Sequence, residues 1–351
     1  MQIDRLSLRG FRNYEDAQAQ FVPGVNLLVG GNANGKTNLL EAVSYLSTGR
    51  SFRTRREAEL IRFGADFAEL RAQVQSQERT RELRAVLFSG RRPRQLWLAG
   101  VRQRSRAALS GVLTSVLFCP EDLYLIREGA AARRGFLDDC ICQLRPRYAL
   151  ALAEYKRLHE HKTRILRDSE EKPSLLDALD EFSMSMAKAG ALLIHYRAHF
   201  IKRLCQAAPT IHGDFSGGRE RLTLHYETVY TVTDPEAGPQ VIFQQLLQHQ
   251  EEHRAAEIAS RQCLSGPHKD DLLVEIDGQA AKSYASQGQT RTAALSLKLA
   301  AREIFQQDTG EYPVLLLDDV LSELDPRRQE FVLNRIRGGQ VFITCCEDDR
   351  L

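Results

Sequence analysis

The stretch "VGGNANGKTNLLEAV", Val29 to Val43, limits the possible folds more than any other part of the chain. A short apolar run, "VNLLVG", leads into a glycine-bounded polar loop. After the loop, "TNLLEAVSYLS" has helical spacing, and Gly49 is placed to stop the helix. The apolar run has the composition of a strand buried on both faces. Strand, loop and helix in that order put free backbone N–H groups and the helix dipole at one point. Gly30-x-x-x-x-Gly35-Lys36-Thr37 matches the phosphate-loop pattern residue for residue. Gly30, Gly31, Asn32, Ala33, Asn34 and Gly35 would wrap phosphates with main-chain N–H groups. Lys36 would add a positive charge at the β- and γ-phosphates, and the Thr37 hydroxyl would ligate Mg²⁺. A chance glycine-rich turn does not account for a strand before it and a helix after it.

The rest of the composition excludes more than it selects. Hydrophobic content of 43% and charged content of 27% are ordinary for a globular protein, so extended disorder is not expected. The 351 residues suit one large domain or two modest ones. A net charge of +2 says little about partners. Seven cysteines at irregular spacing point to a reducing interior. Cys140 and Cys142 are too close, and too lacking in partners, for a zinc knuckle. The N-terminus alternates polar and apolar residues, and no stretch reaches the roughly 20 apolar residues of a membrane span. A cytoplasmic protein is expected.

Along the chain, "QIDRLSLRGF" alternates with period two, as a half-buried strand does, and "AQAQFV" reads as a second strand before the Pro23-Gly24 turn. Residues 66–110 read as several strands, and "SVLFCPEDLYLI" as a strand entering a helix through Pro120. From Ala130 to about Ala208 the pattern is helical, broken near "RDSEEKPS". Strand pattern returns at "RLTLHYETVYTV", followed by the helical "QVIFQQLLQHQEEHRAAEIASRQCL". The last hundred residues alternate strand and helix, which predicts an α/β sheet. The expected organisation is a lobe of residues 1–130 and 260–351, with an antiparallel part at 66–110, and a mainly helical lobe of 131–259.

Two more stretches carry chemistry. "PVLLLDDVLSELD" is a buried strand with two carboxylates at its exit. Asp318 can hold Mg²⁺ and Asp319 can orient an attacking water. The bland alternative is an ordinary strand end, which loses ground once a phosphate loop lies on the same chain. "SYASQGQTRTAALSLKLA" opens a helix with a Ser-x-Gly-Gln unit, a second anion-ready helix start. Alternatively Ser286 or Thr290 simply caps that helix.

Phosphate loop, "SQGQ", then hydrophobic-Asp-acid followed by "SELD" resemble the ABC-type ATPase heads of chromosome-maintenance and DNA-repair proteins, and "LSLRGFRNY" their first strand. More narrowly, "GNANGKTNLLEAVSYLSTGRSFR", "FCPEDLYLI", "RRGFLDD", "SGPHKDDLLVEIDG", "SQGQTRTAALSLKLA" and "LLLDDVLSELD" together resemble the RecF family of bacterial recombination mediators. The resemblance implies an α/β fold, an ABC-type (SMC-like) P-loop ATPase head with a helical second lobe and a β-rich subdomain. It makes Gly30–Thr37 an ATP loop, Ser286, Gly288 and Gln289 a signature contacting ATP in trans, and Asp318 and Asp319 the acidic motif. Ser322 to Asp325 would lie across a dimer interface. Lys36, Asp318 and Asp319 would be catalytic, with Thr37 and Asp318 holding Mg²⁺. ATP would join two protomers and slow, DNA-dependent hydrolysis would release them, at gapped or duplex DNA without sequence preference, helping to load RecA with RecO and RecR. Two departures stand out. Relatives of this class usually carry Glu where this chain has Asp319, and "ITCCEDD" lacks the histidine that many such heads have after the last strand.

Charge distribution adds to the DNA expectation. Residues 83–106 contain seven arginines and no acid, and Arg50, Arg53, Arg55 and Arg56 form a second cluster. Together with Arg91, Arg92 and Arg94 they are candidates for phosphate-backbone contact. No base-reading helix is evident. His268 in "GPHKDD" has no second histidine at ligand spacing, so a structural or ATP-sensing role is expected. Two other functions compete. A membrane-transporter ATPase subunit predicts a sequence nearer "LSGGQ", which is absent. An ATPase-linked nuclease would need a further acidic metal-binding domain after residue 351.

Overall fold

The computed structural model describes residues 1–345 except 32, 78, 322, 323 and 337. The chain divides into two compact units. The first comprises residues 1–123, 214–218 and 291–351, and the second residues 124–213 and 219–290.

The first unit opens with β1 (Gln2–Phe11), β2 (Tyr14–Gln20), β3 (Val25–Val29) and α1 (Lys36–Thr48). It continues with β4 (Phe67–Ser76), β5 (Arg79–Phe88), β6 (Gln95–Leu98), β7 (Val101–Gln103) and β8 (Ser115–Phe118). The second unit holds α2 (Leu123–Arg127), α3 (Ala130–Leu144), α4 (Pro146–Asp168), α5 (Leu179–Ser216) and β9 (Leu222–Glu227). Then come α6 (Pro239–Ser260), β10 (Asp271–Ile276), β11 (Gln279–Ala280) and α7 (Ala281–Tyr284). The chain ends on α8 (Gln287–Thr309), β12 (Val314–Leu317), α9 (Pro326–Arg335) and β13 (Val341–Cys345).

Two sheets build the first unit. One is six-stranded, in the order β2-β1-β4-β5-β6-β7, with antiparallel pairing throughout. The other is parallel, in the order β3-β13-β12-β8. The period-two pattern of β1 puts Leu6 and Leu8 inside and Arg5 and Arg9 outside. Helix α1 packs on strands of both sheets, β4 and β5 of one and β8 and β13 of the other. Residues 40–47 of α1 are accordingly all buried. A helix covered on every side can carry a charge only if that charge is paired. Its one acid, Glu41, is fully buried and meets Arg12 in a two-pronged pair, with Nε to Oε2 at 2.8 Å and Nη2 to Oε1 at 2.7 Å.

β3 corrects the expectation of a strand buried on both faces. It is the edge strand, and Val25, Leu27 and Val29 are 52%, 53% and 61% exposed. An apolar run records that a strand can be buried on two faces, while position in the sheet decides how many are covered. "DLLVEI" is also a strand, β10, but it is not part of the α/β sheet. It pairs antiparallel with β9 and β11 in the second unit. That pairing places residues 260–290 in the second unit, whereas the sequence expectation put them in the first lobe.

A buried polar cluster organises the second unit. Arg197 of α5 donates to Asp138 (2.8 Å), Asp270 (2.9 Å), the Pro267 carbonyl (2.7 Å) and Tyr148 (3.1 Å). Asp270 also accepts from Tyr226 and Thr228. Every charge in this cluster has an opposite charge and neutral hydrogen-bond partners. The six cysteines among the described residues form no disulfide with one another, and Cys346 lies outside them.

Candidate nucleotide site

The loop between β3 and α1 turns on two left-handed residues, Ala33 (φ 66°) and Gly35 (φ 95°). Gly35 is required twice. Its φ disfavours a side chain, and a Cβ there would lie 2.7 Å from the Asn13 amide nitrogen and 3.0 Å from the Tyr14 hydroxyl. Asn13 and Tyr14 come from the turn between β1 and β2. Tyr14 donates to the Gly35 carbonyl at 3.1 Å, and Asn38 donates to Asn13 at 2.8 Å. Burial raises the Tyr14 phenol above its ordinary pKa, so it stays a neutral donor. The "RNY" turn thus braces the loop. Its sequence quotes a strand but gives no sign of these contacts.

Lys36 folds back over the loop, its Nζ donating to the Gly30 carbonyl and, at 3.2 Å, to that of Gly31. This holds the ammonium at the mouth of the loop, where phosphate oxygens could replace the carbonyls. Asn32 lies outside the described residues.

Thr37 and Asp318 meet. The Thr37 hydroxyl donates to Asp318 Oδ1 at 2.9 Å, joining the first turn of α1 to the end of β12. Parallel pairing of β3, β13 and β12 brings both strand exits to the same edge. Thr344 of β13, which nothing in the sequence singled out, completes the arrangement. Its hydroxyl lies 3.2 Å from Asp318 Oδ1 and accepts from the Asp319 N–H at 2.8 Å. Asp318 is buried, and among the described residues no Lys or Arg pairs with it. Its carboxyl is raised above its ordinary pKa, by burial first. The hydroxyls of Thr37 and Thr344 oppose that shift, while the charges of Asp319 and Glu121 add to it. A hydroxyl and a buried carboxylate without a cation are hard oxygen donors of the kind Mg²⁺ takes. The residues fit that ion. Asp319 sits at φ 52°, a region Asp tolerates better than most residues.

In the second unit, Ser286 and Gln289 form a capping box at the start of α8. The Ser286 N–H donates to Gln289 Oε1 at 2.9 Å, and the Gln289 N–H to Ser286 Oγ at 3.2 Å. Of the two caps the sequence allowed, Ser286 is the one used. It remains exposed, and Gly288 is partly so. Ser322 lies outside the described residues, and Asp325 caps α9 by accepting from the Arg328 N–H at 3.0 Å.

The candidate DNA-contacting arginines divide. Arg91 and Arg92 are exposed and have no acidic partner among the described residues, and Arg92 lies 4.2 Å over the Phe88 ring. Arg94 is spent within the fold, pairing with Glu57 and donating to the Gly49 carbonyl at 2.8 Å. Arg53 bonds Asn38 at 2.7 Å and approaches Glu41 at 3.6 Å, whereas Arg55 and Arg56 are exposed. Arg50 is partly buried.

His268 is structural. Its Nε2 donates to the Cys263 carbonyl at 3.0 Å, which leaves Nδ1 to accept from the Tyr155 hydroxyl at 2.7 Å. Burial, the largest cause, pushes its pKa down to about 3.

The model of the RecF/RecN/SMC N-terminal domain family matches residues 2–351. The chain is 36% identical over 349 residues to the DNA replication and repair protein RecF of Acetivibrio thermocellus, covering 99% of this chain and 94% of that one. It is 37% identical over 357 residues to the protein of the same name from Bacillus subtilis, covering 99% and 94%. A solved structure of the recombination mediator protein RecF with ATP, in the RecFOR pathway, superposes with a TM-score of 0.92 at 32% identity, covering 99% of this chain and 93% of that one. The Smc head domain of Pyrococcus furiosus shares the fold alone, with a TM-score of 0.55 at 17% identity. These matches give no support to a transporter subunit, and among the described residues no helix is long and apolar enough to cross a membrane.

Proposed function

Since the chain belongs to the RecF family of DNA replication and repair proteins, we propose that it is a cytoplasmic, ATP-switched mediator of gap repair that binds DNA without reading its sequence. The observation that carries this reading is the 2.9 Å contact between Thr37 and Asp318, which joins the phosphate loop to the acidic motif.

In this reading Gly30–Thr37 holds the triphosphate through loop N–H groups, and Lys36 releases the Gly30 and Gly31 carbonyls to bind β- and γ-oxygens. Thr37 and Asp318 would hold Mg²⁺, which when bound neutralises charge on those oxygens. Asp319 orients the attacking water, fixed by its N–H on Thr344. Its carboxylate is one methylene shorter than the usual Glu and reaches less far, in keeping with slow hydrolysis. Ser286, Gly288 and Gln289 present a helix start to the ATP of a second protomer, so nucleotide would join two copies. Asp325 and Ser322 belong to the proposed dimer contact. For DNA, the proposed contacts are Arg91, Arg92, Arg55 and Arg56. Arg94 is dropped because its guanidinium is committed to Glu57 and Gly49. RecO, RecR and RecA loading enter from the family.

The test is the size of the purified protein with and without ATP, and with gapped DNA, using Lys36→Ala as control. ATP should double the mass of the parent and leave Lys36→Ala a monomer. A parent that stays monomeric with ATP and gapped DNA contradicts the switch.

A further inference from the structure

Within the second unit, α3, α4, α5 and the turn at Gly266–His268 line an open-mouthed cavity of about 280 Å³. Its back wall is closed chemically. Arg197 and Asp138 neutralise each other there, and both nitrogens of His268 are used. The "GPH" turn is shaped for this wall. Gly266 has φ 129°, and a Cβ on it would run into the Tyr155 hydroxyl, while the Pro267 carbonyl accepts from Arg197.

The front is different. Arg134 is partly buried and makes one hydrogen bond, from Nη1 to the Asp270 carbonyl at 2.7 Å. Among the described residues no carboxylate lies within ion-pair distance of it. A guanidinium has five donors, and a partly desolvated one without a carboxylate is normally paired with something. His159 also lines the cavity. Its ring stacks with Tyr155 and is tilted against His268, with centroids at 6.4 Å and 4.4 Å, yet neither ring nitrogen has a hydrogen-bond partner among the described residues. Lys156 lines the rim, and Glu160 is the one acid there besides Asp138.

We propose that this cavity binds a phosphate group, with Arg134 and His159 as its direct contacts and Lys156 at the rim. Two observations agree. Arg134 keeps donors with no carboxylate in ion-pair distance, and neither ring nitrogen of His159 has a hydrogen-bond partner, among the described residues. Of the acids that line the cavity, Asp138 is paired with Arg197 and Glu160 is exposed at the rim. Burial and the neighbouring charges of Lys162 and Lys269 hold His159 below its ordinary pKa, so a bound anion would raise it. The proposal does not rest on the nucleotide site.

That site would also take phosphate, so the test uses the full chain carrying Lys36→Ala. Inorganic phosphate and glycerol 3-phosphate are titrated by calorimetry while the His159 ring proton is followed by NMR. One site should appear, the His159 resonance should move, and Arg134→Gln added to Lys36→Ala should weaken binding about tenfold or more, the loss of a charge-assisted contact. Gln can keep the bond to the Asp270 carbonyl, and His159→Gln supplies a second variant should Arg134→Gln misfold. Tighter binding of glycerol 3-phosphate marks a phosphoester as the ligand, and equal binding marks free phosphate. An isotherm unchanged by either variant, or a His159 resonance indifferent to phosphate, overturns the proposal.

Discussion

Asp270 and Asp318 are both buried aspartates beside a strand, yet the protein treats them in opposite ways. Asp270, just before β10, is held by Arg197, Tyr226 and Thr228. Asp318, just after β12, meets only the hydroxyls of Thr37 and Thr344 among its side-chain partners, and the charges of Asp319 and Glu121 raise its pKa further. Burying a carboxylate is costly unless a cation accompanies it. At Asp270 the fold supplies that cation, and the result is structure. At Asp318 it does not, and the carboxyl responds by a raised pKa. An unpaired buried acid facing a phosphate loop is the mark of a site completed from outside.

The largest effect expected from this contrast is at the saturated end. Arg197→Met leaves Asp270 buried without its cation and Asp138 with only Lys156, at 3.9 Å, and should lower the stability of the second unit by about 3–5 kcal/mol in urea unfolding. A loss well under 1 kcal/mol would mean that the cluster is not what holds the unit together. At the other end, Lys36→Ala removes the charge at the β- and γ-phosphates. ATP turnover by phosphate release should fall about 10²- to 10³-fold, with the folded state intact. Unchanged turnover would remove the basis for the site.

Smaller effects sharpen the division between committed and uncommitted side chains. Ser286→Arg puts a cation where the proposed partner ATP would sit. Sizing should find ATP still bound and the dimer gone, at a further cost of about 1 kcal/mol for the lost cap. Dimers formed as in the parent would contradict contact in trans. Neutralising Arg91 and Arg92 should flatten the salt dependence of duplex binding, by about 0.9 in the log–log slope for each lost contact. Arg94→Ala should instead reduce stability, because its partners are Glu57, Tyr45 and the Gly49 carbonyl. A slope that moves with Arg94 and not with Arg91 and Arg92 would reverse that assignment.

Much of this was legible in sequence where the determinants are local. Gly35 and the first turn of α1 lie within one loop, and Gly49 (φ 63°) stops α1 as its position implies. Ser286, one of the two caps the sequence offers for α8, is likewise short-range. What escaped depends on contacts made across the fold. Glu41 reads as an ordinary helix acid, and only the covering of α1 by two sheets makes it a buried charge that requires Arg12. Thr344 reads as one residue of a strand, and only the neighbouring of β13 and β12 puts its hydroxyl on Asp318. β3 looked like a central strand because apolar composition is blind to sheet order. β10 looked like part of the α/β alternation because its partner, β9, lies far upstream in the chain. Arg94 looked like its neighbours because a run of arginines does not reveal which one has an acid behind it.

The most direct test of the contrast is the effect of Asp318→Asn on thermal unfolding, with and without ATP and Mg²⁺. A carboxyl whose folded pKa lies above its unfolded value binds its proton more tightly in the native state. Stability from this group is therefore full below the unfolded pKa and is lost as pH rises through the folded one. At pH 7 the parent bears that loss, and Asn does not. Without nucleotide, Asp318→Asn should be more stable than the parent by about 1 kcal/mol, the low end of the cost of an uncompensated buried polar group. With saturating ATP and Mg²⁺ the order should reverse, because only the parent can hold the ion that completes the site. The same order under both conditions, or a variant that loses stability without nucleotide, would contradict the account.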